Sequence, residues 1–366
     1  MTSILITGAD GHLGRALTRW LLAATDRTLV LFMRAADTFE AERKRLRLAP
    51  FDSEARCRLV FGDLREAEPF AAIEPRGVTD ILHCAALTSF AVDRASADDV
   101  NAAGTTRLLA FAERCDLRRI GLLSTLYAAG LRQGVIGEVA FDDTVPFANH
   151  YEWSKWRAER SLCDRTGLPW QIFRVATILA DDERGTVVQQ NAVHNTLRLL
   201  YYGLLPVLPG IAATRVYATS TDFAVPAIGR LFLDAADHRI FHVSDAAHAA
   251  LTLGELMERV YESFLRDKDF ARQRILKPRF CDRSSFAALV EGADRFGGAI
   301  AQSLHSVAPF APQLYCDKEV ATCNATAALG SLRPPDARSL AGAVAHRLAE
   351  TRWGLRSNVS TRDKKP

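Results

Sequence analysis

The segment Thr7-Gly8-Ala9-Asp10-Gly11-His12-Leu13-Gly14 constrains the fold of this chain more than any other. It follows a short apolar run, Ser3–Thr7, and opens an amphipathic run over residues 13–24, in which Leu13, Leu17, Trp20, Leu21 and Ala24 share one helical face. A glycine-rich turn alone says little, but one that leaves a strand and starts a helix points to dinucleotide binding. Gly8 permits the tight turn. Gly11 lets a pyrophosphate approach N–H groups at the positive end of the helix, and Gly14 lets helix and strand pack closely. Asp10, His12 and Leu13 complete the candidate cofactor loop.

Short apolar runs and amphipathic runs alternate through the first half of the chain, which is the pattern of βαβ units. Strands are expected at residues 28–33, 58–61, 80–84, 120–124 and 170–175, with helices at 39–48, 98–115 and 152–165. The fully apolar strands call for a sheet covered on both faces. The fold class is therefore α/β: a Rossmann-type doubly wound parallel sheet with a smaller, mostly helical C-terminal substrate-binding lobe. Residues 1–180 form the nucleotide-binding domain, and strands near 215–223 and 240–244 are expected to rejoin it. Residues 181–214 and 245–350 form the lobe, with helices at 253–265 and 339–350 and an irregular stretch at 274–324. Residues 351–366 read as a charged, flexible tail.

With 366 residues, 48% of them hydrophobic, the chain can bury a large core. The 46 basic and 43 acidic residues are interspersed, which leaves no nucleic-acid footprint. The seven cysteines (Cys57, Cys84, Cys115, Cys163, Cys281, Cys316 and Cys323) are scattered and never form a Cys-x-x-Cys pair, so they read as small buried apolar residues. No signal-like start is seen. The longest uncharged stretch, residues 199–214, is too short to span a membrane and is broken by glycine and proline. A soluble cytoplasmic protein in a reducing compartment is expected, with a homodimer left open.

The end of the second strand separates the two nicotinamide cofactors. An acidic residue there suits the ribose 2′-hydroxyl, and a basic one suits a 2′-phosphate. Leu31-Phe32-Met33 runs into Arg34, and Arg43, Lys44 and Arg45 follow, so NADP(H) is favoured over NAD(H). The bland alternative is that the latter three are solvated helix charges. Asp37, the nearest acid, lies late for the ribose.

Tyr151 alone among the seven tyrosines has a lysine four residues on, Lys155, which puts both on one helical face. A free phenol titrates near pH 10 and is a poor proton donor at neutrality. A neighbouring ammonium would lower that pKa, letting Tyr151 act as general acid when hydride reaches a carbonyl, while Lys155 also holds the nicotinamide ribose. A hydroxyl at the end of the preceding strand would stabilise the oxyanion. Ser124 and Thr125 stand there, with Thr125 preferred and Ser124 its structural neighbour.

Together these residues resemble the extended short-chain dehydrogenase/reductase superfamily. The likeness continues through Gly62-Asp63-Leu64, similar to the adenine-contacting segment, and through His83-Cys84-Ala85-Ala86, similar to the loop that lies along the cofactor. It extends to Asn101, similar to the asparagine that supports the active site. Arg34-Ala35, Ser124-Thr125 and Tyr151-x-x-Ser154-Lys155-Trp156-x-Ala158-Glu159 are most similar to the thioester reductase and fatty acyl-CoA reductase branch. Val175 stands where that branch usually has proline, and Thr219-Ser220-Thr221-Asp222 departs from its usual segment. The resemblance implies reduction of an acyl thioester, on coenzyme A or a carrier protein, to an aldehyde and in some members an alcohol. Residues 199–211 could line an acyl channel or simply pack as core.

A ketone or hydroxysteroid-type reductase, or a nucleotide-sugar epimerase or dehydratase, would use the same triad. A non-catalytic cofactor sensor would have no need to keep it. Neither a Gly-x-Ser-x-Gly elbow nor a Gly-Lys phosphate loop occurs. His238 and His242 fall at a strand entry, and no metal site is expected.

Overall fold

The computed structural model describes residues 2–52, 54–141 and 145–354. Seven strands form the main sheet: β1 (Ser3–Thr7), β2 (Thr28–Met33), β3 (Cys57–Phe61), β4 (Val78–His83), β5 (Arg119–Thr125), β6 (Trp170–Val175) and β7 (Arg239–Val243). Their order is β7-β6-β5-β4-β1-β2-β3, and every neighbouring pair is parallel. The chain starts mid-sheet, winds out to β3, and returns past β1 to build the other half. At the β1/β4 reversal the connections diverge, so a crevice opens beyond the carboxyl ends of these strands. Gly8 follows one strand and Cys84 the other.

Strands β1 and β6 are buried at every position, as runs covered on both faces must be. Helix α1 (His12–Ala24) buries Gly14, Leu17, Thr18 and Leu21 as one stripe. Helix α2 (Thr38–Arg47) buries no residue. Helix α3 (Gly104–Ala112) is preceded by a π-type turn over Asp98–Ala103, and helix α4 (His150–Cys163) is capped by the Asn149 side chain on the Glu152 N–H. Phe32, Phe70 and Phe111 pack in series as tilted rings, with centroids 4.8 and 5.0 Å apart.

The chain divides into two compact units. The first comprises Met1–Ala176, Phe223–Ser244 and Val320–Arg333, and holds the main sheet. The second comprises Thr177–Asp222, Asp245–Glu319 and Pro334–Pro366. Its core gathers Leu197, Tyr201, Val260, Phe264, Phe270, Val344 and Trp353.

Several sequence expectations change. Arg215–Val216 pairs with Leu251–Thr252, and Ala218–Ser220 pairs with Thr177–Ala180, so residues 215–220 do not join the main sheet. Local alternation marks a strand but not its partner. Residues 274–324 are more regular than expected, with helices Arg283–Phe296 and Gly298–Val307. Their inward faces carry Phe286, Val290 and Ala293, and Ala301, Leu304 and Val307. Within residues 199–211, Leu200, Tyr201, Leu205 and Leu208 belong to the second unit's core. The tail does not begin at 351: Trp353 is buried and Arg352 pairs with Asp267 and Asp269, while residues 355–366 lie outside the described residues. All seven cysteines are free, but only Cys316 is fully buried.

Candidate active site

Three glycines fix the loop after β1 by what they exclude. Gly8 has φ +65°, and a Cβ there would meet the Ala85 Cα at 2.7 Å. A Cβ on Gly14 would meet the Gly8 carbonyl oxygen at 2.2 Å, and one on Gly11 would meet the same oxygen at 3.1 Å. Gly11 is the N-cap of α1 and gives it no side-chain cap, so the first-turn N–H groups face the loop as donors suited to phosphate.

A buried polar chain then ties this loop to the far side of the crevice. The Thr7 hydroxyl lies 2.6 Å from His83 Nδ1 and accepts from the Ala85 N–H at 3.2 Å. His83 Nε2 lies 3.1 Å from the Thr105 hydroxyl, which itself donates to the Asn101 carbonyl at 2.6 Å. Thr105 has spent its proton, so His83 must donate from Nε2 and accept at Nδ1. Burial, aided by the Lys155 charge, pushes the His83 pKa down to about 3, so the ring is a neutral bridge.

The π-type turn aims the Asn101 side chain inward. Its amide donates to the Leu87 carbonyl at 3.0 Å and to the Ser154 hydroxyl at 2.9 Å, and its oxygen accepts from the Leu87 N–H at 2.8 Å. Ser154 in turn donates to the Tyr151 carbonyl at 2.8 Å. Both amide protons of Asn101 are spent on these bonds, which tie the π-type turn to α4.

On the opposite side of the loop, Arg34 follows β2 and is exposed, and its charge lowers the pKa of both Glu40 and Asp63, after larger hydrogen-bond effects. Of the three basic residues at 43–45, Lys44 reaches the loop: its ammonium lies 2.8 Å from the Asp10 carboxylate and donates to the Arg34 carbonyl at 2.5 Å. Arg45 stands over the Phe61 ring at 5.2 Å, whereas Arg43 is exposed and has no ion pair among the described residues. Neighbouring positions on one helical turn thus have different outcomes. Asp37 caps α2 by accepting from the Glu40 N–H. Asp63 chelates Arg65, and Leu64 is buried with its carbonyl held by Arg107. Cys84 is half-buried, its thiol pushed up to about 12 by burial.

The proton-handling residues meet at the end of β5. Successive strand residues face opposite ways, and Ser124 and Thr125 divide accordingly. Ser124 donates to Glu159 at 2.5 Å on the buried side, where Arg174 binds the same carboxylate at 2.7 Å. The Ser124 proton is therefore spent on Glu159. Thr125 caps the turn Leu126–Ala129, lies beside Val175 in register, and is near enough to Tyr151 to draw the phenol pKa down.

Tyr151 is nearly buried, with the Phe90 ring 5.7 Å away at a steep tilt. Its phenol pKa is raised, not lowered as expected from sequence: burial outweighs the Thr125 hydroxyl, and Glu152 and Tyr127 push the same way as burial. Lys155, one turn on, donates to the Leu123 carbonyl at 2.6 Å. Burial lowers its pKa to about 8, opposed chiefly by the Glu159 carboxylate. A protonated phenol beside a second hydroxyl and a readily titrated ammonium can donate hydrogen bonds and a proton to a carbonyl oxygen.

These elements have a known counterpart. The male sterility protein model, a family of NAD-binding domains, matches residues 6–228. The chain belongs to this family. It is 36% identical over 214 residues to sterol demethylase protein B of Methylococcus capsulatus, across 56% of this chain and 61% of that one. It is 29% identical over 200 residues to one of the subunits of linear gramicidin synthase from Brevibacillus parabrevis, across 50% of this chain and 4% of that one. The chain thus matches less than two thirds of either relative. In fold it is similar to the terminal R domain of the myxalamid PKS-NRPS pathway, with TM-score 0.76, 20% identity and coverage of 96% and 92% of the two chains. It is also similar to a thiolation-reductase di-domain from an archaeal non-ribosomal peptide synthetase, with TM-score 0.70, 17% identity and coverage of 96% and 76%.

Among the described residues no group of three or more His, Cys, Asp or Glu is arranged to hold a metal ion. His242 is buried and bonded to the Ala321 carbonyl. No helix among them is long and apolar enough to cross a membrane.

Proposed function

We propose that this family member is an NADPH-dependent reductase of acyl thioesters, carried on coenzyme A or a carrier protein, with Tyr151 as general acid. The observation that carries the reading is the meeting of Thr125, Tyr151 and Lys155 at the end of β5, next to a glycine loop shaped for a dinucleotide. Likeness to reductase domains of peptide and polyketide synthetases supports the thioester. Arg34 and Lys44 at the edge of that loop support NADPH, because a 2′-phosphate brings a charge that two cations offset.

The nicotinamide cofactor supplies the hydride. Tyr151 and Thr125 hold the carbonyl oxygen as it gains negative charge, and Lys155 binds the ribose hydroxyls and keeps positive charge behind the phenol. The tetrahedral thioester adduct collapses by breaking its carbon–sulfur bond. Thiol leaves and takes one proton, so one NADPH and one proton convert the thioester to aldehyde and free thiol. A second reduction to the alcohol uses the same residues, with the Tyr151 proton ending on the oxygen.

A second reading follows from the 36% identity to a sterol demethylase protein: reduction of a ketone on a sterol-like substrate by the same triad. A panel of acyl-pantetheines, acyl-CoAs and 3-oxosteroids with NADPH, products identified by mass, separates the two. Aldehyde or alcohol from a thioester supports the first reading, and turnover of ketones alone replaces it with the second.

A further inference from the structure

Helix α4 carries Tyr151 and Lys155 on one face and Trp153 and Arg157 on another, displaced by two residues or about 200° around the axis. Trp153 and Arg157 line a groove of about 490 Å³ with Arg94, Ala95 and Asp98. An adjoining hollow adds Phe147, Ala148, Asn149 and His150 around the same indole. The Arg94 and Arg157 guanidinium carbons stand 5.3 and 5.7 Å from the Trp153 ring centroid. Both arginines are exposed.

What sets the two apart is that neither has an anionic partner. Other arginines on these helices and strands do: Arg107 with Asp99, Arg160 with Asp164, Arg165 with Glu113, and Arg119 with Asp237. Among the described residues Arg94 and Arg157 have no ion pair, and Asp98, the one carboxylate lining the groove, is not paired with either. An arginine over an indole is held by the ring face and keeps its planar fork of donors free for a carboxylate. Arginine and tryptophan are also the side chains that most often anchor protein interfaces.

We infer that this groove is the docking surface for the acidic face of a carrier domain that brings the thioester. The inference rests on the thioester reading. Charge decides against a second copy of this chain, because apposing two such faces in a symmetric dimer would bring four unpaired guanidiniums together around one axis. Position favours the substrate's own carrier. The segment that packs Phe90 against Tyr151 continues directly to Asp93, which caps the turn bearing Arg94. A carrier seated here lies on the elements that hold the proton donor.

The test compares one acyl group in two forms, octanoyl-pantetheine and octanoyl on a phosphopantetheinylated carrier domain of strongly negative net charge. The unaltered chain should show a KM for the carrier form at least about tenfold lower, rising with ionic strength. Arg94→Glu with Arg157→Glu should raise that KM about tenfold or more with kcat unchanged, and leave octanoyl-pantetheine kinetics unaltered. Equal KM for the two forms in the unaltered chain, or a carrier KM untouched by the double substitution, overturns the docking surface while the thioester reading stands. A dimer that the double variant converts to monomer in sedimentation assigns the groove to self-contact and overturns it as well. Turnover of neither form by the unaltered chain removes the thioester reading and this inference with it.

Discussion

The Lys44 ammonium lies 2.8 Å from the Asp10 carboxylate, joining the helix after β2 to the glycine loop after β1. The same ammonium holds the Arg34 carbonyl, so the backbone that presents the Arg34 guanidinium is fixed by the loop it serves. Arg34→Ala should weaken NADPH by about 10–100-fold, the range for a charged hydrogen bond, with little effect on NADH. Lys44→Ala should weaken both, NADPH more, because it loosens the loop as well. Fluorescence titration of the two cofactors checks this, and equal losses for Arg34→Ala would remove the 2′-phosphate assignment.

Tyr151→Phe keeps the ring against Phe90 and removes only the hydroxyl. Turnover should fall by about 10²–10⁴-fold while NADPH affinity stays within about twofold. Stopped-flow NADPH oxidation and a binding titration on the same protein provide the two readings.

Ser124 and Thr125 are chemically alike and adjacent, yet their substitution should not be equivalent. Thr125→Ala should lower kcat by about 10²–10³-fold with the fold intact, as loss of one oxyanion donor does. Ser124→Ala should lower thermal stability by disturbing the Glu159 and Arg174 network and leave kcat nearly unchanged in the folded enzyme. A kcat loss with Ser124→Ala equal to that of Thr125→Ala would reverse the assignment.

Lys155 must be protonated to carry charge behind the phenol, and its pKa is lowered to about 8. The reduction rate should therefore fall as pH rises through about 8. Glu159→Gln removes the carboxylate that opposes this lowering, so the falling limb should move to lower pH. A pH–rate profile of both proteins tests it, and an unmoved limb would show that another group governs it.

Asp245 is mostly buried, with one carboxylate oxygen lacking a hydrogen-bond partner, and burial followed by the Asp336 charge raises its pKa to about 7. A carboxyl whose folded pKa exceeds its unfolded value favours the folded state less as pH rises from about 4 to 7, and the cost is complete above 7. Asp245→Asn should raise Tm more at pH 8 than at pH 5 by calorimetry. A gain that is equal at both would place its origin in packing.

The β1–loop–α1 unit, the Tyr151/Lys155 pair and the α/β alternation were legible because each rests on local chain geometry. A glycine that must adopt positive φ, two side chains one turn apart, and an apolar run long enough for a strand all declare themselves within a few residues. The partners of Asn101, Ser124 and Lys44 were not legible, because each is brought by another segment. Asn101 meets Ser154 across 53 positions, and Ser124 meets Glu159 across 35.

The sequence by itself determined the sheet's strands, the nucleotide loop and the residue types able to move a proton. Only the tertiary structure decided which hydroxyl Glu159 claims, which cation reaches the loop, and that burial raises the Tyr151 pKa above that of a free phenol. Hydrogen-bond competition and desolvation are properties of a packed interior. They arise only once distant segments have excluded water and claimed one another's donors.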